Sequence, residues 1–436
     1  MKKFLTVAVI LCIFITECKN SNIAILEPQT EDIVSVVLSD EIITVDGMEV
    51  SENKEDAVYA GADIIYYEEG KDKTYGEGEK KDAHSAQEAE EHTVLTITQP
   101  GTYEVSGKIS HGQIAVDLGE DSRKDEDAVL NLILNNAEIH CSVAPAIVVY
   151  NAYECGNKSK KDAGPVVDTQ DAGFQLILAK DSENLIYGSY VATIYEDGTT
   201  QKDIKNKDAK KKYKFDAAID SLVSFNIDSG ENGRLIVNAE NEGISSGLHM
   251  TVNSGEIVIN AGDDSVNTNK DDVSVFTMNG GTLICNSGFG DEGDGIDSNG
   301  YIVINGGIIR AYANPRSIDS GVDSDKGIYL NGGTLLATGN MYDEVSEDSD
   351  QLFRVLDFNE KIKEDSLIMM TDSKENPIMA FRAVNDFQVA VYSSPELTGG
   401  EYYFYQVSSV IGDLEEDIYT NISDYQDKKE LLQVSL

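Results

Sequence analysis

Asparagine recurs at a fixed interval of 26 residues in the second half of the chain, and this repeat constrains the fold more than any other feature of the sequence. The positions are Asn253, Asn279, Asn305 and Asn331, in the segments "HMTVNSGEIVIN", "VFTMNGGTLICN", "GYIVINGGIIRA" and "GIYLNGGTLLAT". Each segment joins two short runs of alternating apolar residues through a turn, which is typical of β-strands. A fixed period in the twenties built from such runs predicts that each repeat buries its apolar side against its neighbours.

Alignment of the four repeats separates inward from outward positions, because side chains alternate along a strand. The predicted inward columns before the turn are Met250, Phe276, Ile302 and Ile328, and Val252, Met278, Ile304 and Leu330. Those after the turn are Ile257, Leu283, Ile309 and Leu335, and Ile259, Cys285, Ala311 and Ala337. Helical repeats would need a 3.6-residue period, and leucine-rich repeats a regular leucine scaffold, so the pattern predicts an all-β parallel β-helix. The asparagines are interpreted as stacked turn residues that hydrogen-bond the next repeat.

The domain organisation follows from where this pattern begins and ends. Shorter and less regular apolar runs precede the repeats, so residues 30–340 are predicted to form one β-helix domain. The period is then lost, and residues 341–436 are predicted to form a β-strand-rich cap over the open end of the array. Hydrophilic insertions at residues 68–92, 154–173 and 196–214 are predicted to be solvated loops.

Residues 1–20 have the pattern of an export signal. A basic Lys2-Lys3 head precedes an apolar run from Phe4 to Ile15, which is too short to span a membrane. Cys18 stands where a bacterial lipoprotein signal places its acylated cysteine, so lipid attachment at Cys18 and cleavage nearby without lipid are both open. The mature protein is expected outside the cell, at the cell surface or lipid-anchored, with the membrane as a partner only through such an anchor.

The remaining cysteines give no disulfide framework. Cys141, Cys155 and Cys285 are an odd number. Cys141 and Cys155 flank a short apolar segment, and a disulfide between them and two free thiols are both open.

The net charge of the chain is −44, from 78 acidic and 34 basic residues. Such a chain repels the phosphates of nucleic acids and anionic lipids, which excludes them as electrostatic partners. A multivalent cation would instead be attracted.

A second repeated element consists of acidic turns, "DDSVNT", "GDGIDS" and "DSGVDS". Registering them on Val266, Ile296 and Val322 places Asn267, Asp297 and Asp323 in one column. Another column holds Asp264 and Asp294. The candidate metal ligands are Asp263, Asp264, Asn267, Asp291, Asp294, Asp297, Asp319 and Asp323.

Stacked carboxylates of this kind need a counterion. Neighbours in a column lie about 4.8 Å apart, where two unit charges repel by roughly 3 to 4 kcal/mol at an effective dielectric near 20. Calcium fits, because it accepts six to eight oxygen ligands in flexible geometry. Zinc is disfavoured, because the region has no His or Cys cluster. A merely solvated acidic edge is the alternative.

Several stretches of the sequence resemble a family of clostridial cell-surface carbohydrate-binding proteins, over residues from about 32 to 410. The stretches are "SHGQIAVDL", "DAAIDSLVSFNI", "INAGDDSVNT", "GDGIDSNGYIVINGGIIRA" and "SIDSGVDSDKGIYLNGGTLLATGNM". The resemblance implies a right-handed parallel β-helix similar to polysaccharide lyases, calcium in the acidic turns, and binding of cellulose and of acidic sugars such as polygalacturonate, with no demonstrated catalytic role. The chain departs from the family's "DDGI" pattern at Ser265, where the glycine is replaced while both carboxylates stay.

These observations predict a non-catalytic protein that binds plant cell-wall polysaccharide with calcium as its cofactor. Tyr301, Tyr312 and Tyr329 are candidate stacking residues for a glycan, and Arg310 falls on the outer face beside the acidic turns. One alternative is a calcium-dependent pectate-lyase-like enzyme that uses Arg310 as its base. The other alternative is a surface or adhesion protein in which calcium is only structural.

Overall fold

Short β-strands dominate the structure, as the alternating apolar runs predict. The computed structural model describes residues 33–68, 71, 74–415 and 417–435. These residues belong to one unit, Ile33–Leu436, and within them 37 strands accompany two α-helices of five and six residues. The all-β class is therefore observed. The predicted export signal, residues 1–20 with Cys18, lies outside the described residues.

The elements have the following bounds in chain order. The first strands are β1 Ile33–Leu38, β2 Thr44–Val45, β3 Met48–Glu49, β4 Val58–Gly61, β5 Gly76–Glu77, β6 Thr93–Ile97, β7 Gly101–Ile109, β8 Gly112–Asp117, β9 Leu130–Cys141, β10 Ile147–Asn151, β11 Phe174–Leu178, β12 Glu183–Gly188, β13 Val191–Tyr195 and β14 Lys211–Phe215. The middle strands are β15 Ala217–Ser221, β16 Phe225–Ser229, β17 Arg234–Ala239, β18 Glu242–Ser246, β19 His249–Val252, β20 Glu256–Ala261, β21 Val266–Thr268, β22 Val275–Met278, β23 Thr282–Asn286, β24 Ile296–Ser298, β25 Tyr301–Ile304, β26 Ile308–Tyr312, β27 Val322–Ser324, β28 Gly327–Leu330 and β29 Thr334–Gly339. The last strands are β30 Phe353–Ile362, β31 Leu367–Asp372, β32 Pro377–Arg382, β33 Phe387–Ser393, β34 Glu401–Val407, β35 Ser409–Glu415, β36 Ile418–Gln426 and β37 Lys429–Ser435. The helices are α1 Ala86–Glu90 and α2 Gln201–Asn206, and 3₁₀ turns span Lys80–Asp82 and Glu120–Lys124.

Strands of successive repeats pair in parallel with the register that the sequence predicts. Met250 is opposite Phe276 and Phe276 is opposite Ile302. All four predicted inward columns are buried, and they belong to one large apolar core. The 26-residue period therefore identifies both the neighbours of each strand and its buried side.

The prediction of a right-handed parallel β-helix is wrong as a description of the fold. The strands form four sheets of 19, nine, three and six strands, and the largest mixes parallel with antiparallel pairs. At its two ends, β1 pairs antiparallel with β2, and β33 pairs antiparallel with β29 and β30. The structure thus supports an all-β fold organised by mixed sheets. A repeat period reports only the pairing between neighbours, so it carries no information on handedness or on the strands outside the repeats.

The asparagine column is confirmed as a hydrogen-bonded ladder. Asn279, Asn305 and Asn331 each donate their side-chain Nδ2 to Oδ1 of the preceding asparagine at 2.9 to 3.0 Å. The turn beside the ladder requires glycine. Gly307 has φ +81°, and a Cβ there would lie 2.8 Å from the carbonyl oxygen of Gly281.

The strands after residue 340 cover part of the outer face of the large sheet. Leu336, which alternates with the inward positions Leu335 and Ala337 and is therefore expected to face outward, is fully buried in a second core with Leu356, Phe358 and Tyr392. The chain boundary predicted at residue 340 stays a prediction.

The three hydrophilic insertions are more ordered than predicted. Residues 68–92 contain β5 and α1, and residues 196–214 contain α2 and most of β14. In residues 154–173, the buried hydroxyl of Thr169 lies 2.7 Å from that of Thr251 on β19. The prediction of loops is therefore wrong for these parts, which contain regular elements or contact the large sheet, although α2 has no buried residue and is solvated as predicted.

Cys141, Cys155 and Cys285 are free thiols. Among the described residues, no helix is both long and apolar enough to cross a membrane.

Candidate functional site

A row of polar side chains crosses the nine-stranded sheet. Asp220, Ser245, Asn267, Asp297 and Asp323 are opposite one another on five successive parallel strands, β15, β18, β21, β24 and β27. Adjacent members are therefore separated by about 4.8 Å of backbone spacing. The predicted column of Asn267, Asp297 and Asp323 is confirmed as a register. We call these five residues, together with Glu242, Asp264 and Asp294, the acidic row.

Glu242, Asp264 and Asp294 stand three residues before this column in the chain. The amide of Asp294 donates to Oδ1 of Asp264 at 2.7 Å, and the amide of Ser320 donates to Oδ1 of Asp294 at 2.6 Å. Each of these carboxylates therefore links its own turn to the next one. Asp319 links its turn to the preceding one, because its Oδ2 accepts the amide of Gly293 at 2.7 Å.

Burial sets the electrostatics of the acidic row. It raises the pKa of Asp294 to about 8, with Asp323 adding to the shift. It raises the pKa of Asp297 to about 6 and that of Asp323 to about 7, and Asp323 also bonds to the carboxyl of Asp343. Burial likewise raises the pKa of Asp263 to about 6. Loss of water around the charged form is the common cause, and neighbouring carboxylates reinforce it.

The same causes act on the first members of the row. Burial raises the pKa of Glu242 and of Asp264 well above the usual values, and each is raised further by acidic neighbours. Burial and the nearby Asp216 raise the pKa of Asp220 to about 7.

Two buried oxygens in the row have no hydrogen-bond donor among the described residues. The side chain of Asn267 donates Nδ2 to Oε1 of Glu242 at 3.0 Å. Oδ1 of Asn267 and Oε2 of Glu242 remain without a partner, although each residue is only 7% exposed. An unsatisfied buried acceptor costs about 1 to 3 kcal/mol, so this pair favours a further donor or a cation.

The predicted ligands do not all belong to this arrangement. Asp291 is exposed and lies outside the row, while Asp263 and Asp319 flank it. Within the described ranges, no group of three or more His, Cys, Asp or Glu side chains is arranged to hold a metal ion. Carboxylates alone therefore do not form a ready-made site, and amide and backbone oxygens would have to contribute.

Glu242 and Asp220 were missed by the sequence analysis. Asp220 follows Ile219 and precedes Ser221, which repeats the Ile-Asp-Ser triplet of residues 296–298. Glu242 lies in "NEGISS", a weaker relative of the acidic turns. Both signals are in the sequence, but only the strand register aligns them with Asn267 and Asp297.

The four predicted carbohydrate contacts separate into two pairs. Tyr301 and Tyr329 are half-buried on β25 and β28, with ring centroids 6.3 Å apart and planes tilted by 49°. Arg310 and Tyr312 are buried on β26 and both face Asp417. The nitrogen Nε of Arg310 lies 3.6 Å from Oδ1 of Asp417. Only the first pair is accessible to a glycan.

Comparison with known families defines the class of the protein. A family model described as "Carbohydrate-binding domain-containing protein" matches residues 91–171 and 160–371, which together span more than half of the chain. The chain belongs to this family of carbohydrate-binding domain proteins. The predicted resemblance is confirmed at this level.

One solved structure that resembles the chain is described as "Structure of the polysaccharide lyase-like protein from C. thermocellum, Gadolinium derivative". It is 19% identical, covers 69% of this chain and 89% of its own, and has a TM-score of 0.41. A likeness of this size carries no functional argument. No curated protein sequence matches the chain.

Proposed function

We propose that this protein binds acidic plant cell-wall polysaccharide such as polygalacturonate, that calcium is required, and that the glycan is not cleaved. Cellulose is a further candidate ligand. The family supports carbohydrate binding itself. The proposed location is the outside of the cell, at the surface or on a lipid anchor.

The observation that carries the calcium part is the pair of unsatisfied buried oxygens in the acidic row. Glu242 Oε2 and Asn267 Oδ1 both lack a donor among the described residues, and they stand beside carboxylates in register. Carboxylate and amide oxygens are ligands that calcium accepts. Glu242, Asn267, Asp264 and Asp297 are the residues that would hold the ion.

Charge supports the need for a cation between protein and ligand. A chain of net charge −44 repels a polyuronate. A bound divalent cation has coordination positions for carboxylates of both partners. Tyr301 and Tyr329 follow the strands that carry Asp297 and Asp323, so their rings would offer an apolar contact to a sugar near the row.

The lyase alternative is weakened by the position of Arg310. A catalytic base must reach the proton that it removes. Arg310 is only 7% exposed and faces Asp417, so its guanidinium is closed off from a polysaccharide. The adhesion alternative differs from the proposal because it predicts that the protein is not retained on the glycan.

The proposal is tested by retention on polygalacturonate, with calcium and with EDTA, while the absorbance of unsaturated product is followed. We expect calcium-dependent retention with no absorbance change. Glu242→Gln should weaken retention, and Glu126→Gln, the same substitution at an exposed site outside the row, should not. Retention that EDTA does not affect would contradict the calcium part, product formation would contradict the non-catalytic part, and absence of retention would favour adhesion.

A further inference from the structure

A groove of about 660 Å³ lies on the outer face of the large sheet, whereas the acidic row crosses the nine-stranded sheet. Residues from β9, β12, β17 and β20 form its floor, and the segment between β23 and β24 contributes Phe289. The volume is within the range of small-molecule sites. None of the sequence motifs pointed to it.

The floor is a row of side chains in strand register. His140 is opposite Tyr187, Tyr187 is opposite Asn238, and Asn238 is opposite Asn260. The rings of His140 and Tyr187 stack with centroids 4.1 Å apart and planes at 28°. Nε2 of His140 also lies 2.7 Å from Oε1 of Glu138, which fixes the orientation of the imidazole ring. Glu138 therefore holds the His140 ring, and the Tyr187 ring stacks on it.

A second asparagine ladder leads into this aromatic pair. Asn286 donates Nδ2 to Oδ1 of Asn260, and Asn260 donates Nδ2 to Oδ1 of Asn238, both at 2.9 Å. Each amide in the ladder uses its donor on the next member, so Nδ2 of Asn238 is left as the terminal donor. Within the described part of the chain, no acceptor is bonded to it. A hydrogen-bond donor without a partner among the described residues thus stands opposite Tyr187 in the sheet.

Two aromatic rings in the groove are open to solvent. Phe289 is 68% exposed and Tyr187 is 37% exposed. Glu240 is also exposed at the groove, and its Oε2 accepts the hydroxyl of Ser189 at 2.7 Å. Exposed aromatic rings beside a small number of fixed polar groups are typical of a ligand site.

The aromatic rings, the polar groups and the negative charge of the groove indicate which class of ligand it would bind. A hexose ring has an apolar face of C–H groups that packs on an aromatic ring, and a rim of hydroxyls that bonds to amides and carboxylates. No lysine or arginine is among the described residues that line the groove, and Glu240 contributes negative charge. A uronate would be repelled there, whereas an uncharged sugar would not.

We propose that this groove is a second glycan site, which binds an uncharged hexose chain on Tyr187 and Phe289 and orients it through Asn238 and Glu240. The proposal rests on the carbohydrate-binding function proposed above, but it needs neither calcium nor the acidic row. Neutral glycans would then bind in the groove, and acidic glycans at the acidic row of the same molecule.

Titration calorimetry of the full chain with cellotetraose in EDTA tests the proposal. Binding is expected in the wild type, and Tyr187→Ala and Phe289→Ala should each weaken it by about tenfold or more, because each removes one stacking ring. Asn238→Asp should also weaken it, because the terminal donor is lost. Tyr403→Ala is the matched control, since Tyr403 is a partly exposed tyrosine that stacks on Tyr405 in the six-stranded sheet. Circular dichroism confirms that each variant is folded.

Three results would overturn the groove proposal. They are absence of cellotetraose binding by the folded wild type, wild-type affinity in all three groove variants, and loss of affinity in Tyr329→Ala with Tyr187→Ala unchanged.

Retention on polygalacturonate with calcium, measured on the same variants, separates this proposal from the first. Groove variants should keep that retention. If the wild type shows no calcium-dependent retention while Tyr187→Ala still loses cellotetraose, the acidic-row proposal fails and the groove proposal stands.

Discussion

Asn267 donates its side-chain amide to Glu242 at 3.0 Å, from the strand that follows Glu242 in the nine-stranded sheet. This single bond satisfies one atom of each side chain and leaves Asn267 Oδ1 and Glu242 Oε2 buried without a donor among the described residues. The two side chains are therefore oriented by each other, and each keeps one oxygen available for a ligand. This relationship distinguishes the acidic row from an ordinary solvated acidic edge.

The asparagine ladder should stabilise the fold in proportion to the bonds that each member makes. Asn305→Ala removes two side-chain bonds, to Asn279 and from Asn331, whereas Asn331→Ala removes one. At about 1 kcal/mol per bond, we expect Asn305→Ala to lower the free energy of unfolding about twice as much in urea titrations. Equal effects of the two substitutions would contradict a contribution from each bond of the ladder.

The turn glycines should not tolerate a side chain. Gly307→Ala puts a Cβ at positive φ and 2.8 Å from a carbonyl oxygen, so we expect a loss of about 1 to 3 kcal/mol in the free energy of unfolding. Gly399→Ala is the control, because no described residue other than its two chain neighbours has a heavy atom within 4 Å of its Cβ position. Similar melting temperatures for both variants would show that the turn relaxes without strain.

Arg310 should contribute to stability and not to glycan binding. Arg310→Met leaves Asp417 without its buried cationic neighbour, and removal of one partner of a buried pair costs about 3 kcal/mol. Arg234→Met, which breaks a pair with Glu256 that is about 40% exposed, should cost less than about 1 kcal/mol. Melting temperatures check this order. If Arg310→Met is folded but is no longer retained on polygalacturonate, Arg310 contributes to glycan binding and the prediction is contradicted.

His249 should make the fold sensitive to acid. Burial lowers its pKa to about 4, and its Nδ1 accepts the amide of Val275 at 3.1 Å. The unfolded state then binds a proton below about pH 6.5 while the folded state stays neutral, so stability falls as the pH drops from about 6.5 through 4. His249→Asn keeps an acceptor and removes the titration. The difference in free energy of unfolding between wild type and this variant should therefore shrink by about 2 to 3 kcal/mol from pH 7 to pH 4, and a constant difference would contradict the assignment.

The sequence predicts the local arrangement better than the whole fold. The period of 26 residues fixes which repeat residues are opposite each other, so the inward columns and the asparagine ladder could be predicted. The register of Asn267, Asp297 and Asp323 could be predicted from the alignment of the acidic turns, although Asn267 and Asp297 are separated by more than one period. The handedness of the fold and the organisation of its sheets could not be predicted, because strands outside the repeats, such as β33, pair antiparallel with the large sheet.

The errors at the candidate site have the same origin. Arg310 has the alternation of an outward residue, but Asp417 and the neighbouring C-terminal strands bury it through contacts about 100 residues away in the chain. The groove was missed because Tyr187, Asn238 and Phe289 lie outside the four repeat segments and share no common motif. Strand register and tertiary packing bring these residues together, and a local sequence pattern predicts neither of them.

The most direct test of the central claim is the change in melting temperature when calcium is added to the metal-free protein. A ligand that binds only the folded state raises stability with its concentration, so we expect calcium to raise the melting temperature of the wild type and of Glu126→Gln. It should have little effect on Glu242→Gln, Asn267→Ala or their combination. The same calcium response in wild type and in the double variant, or no response in the wild type, would contradict calcium binding at the acidic row.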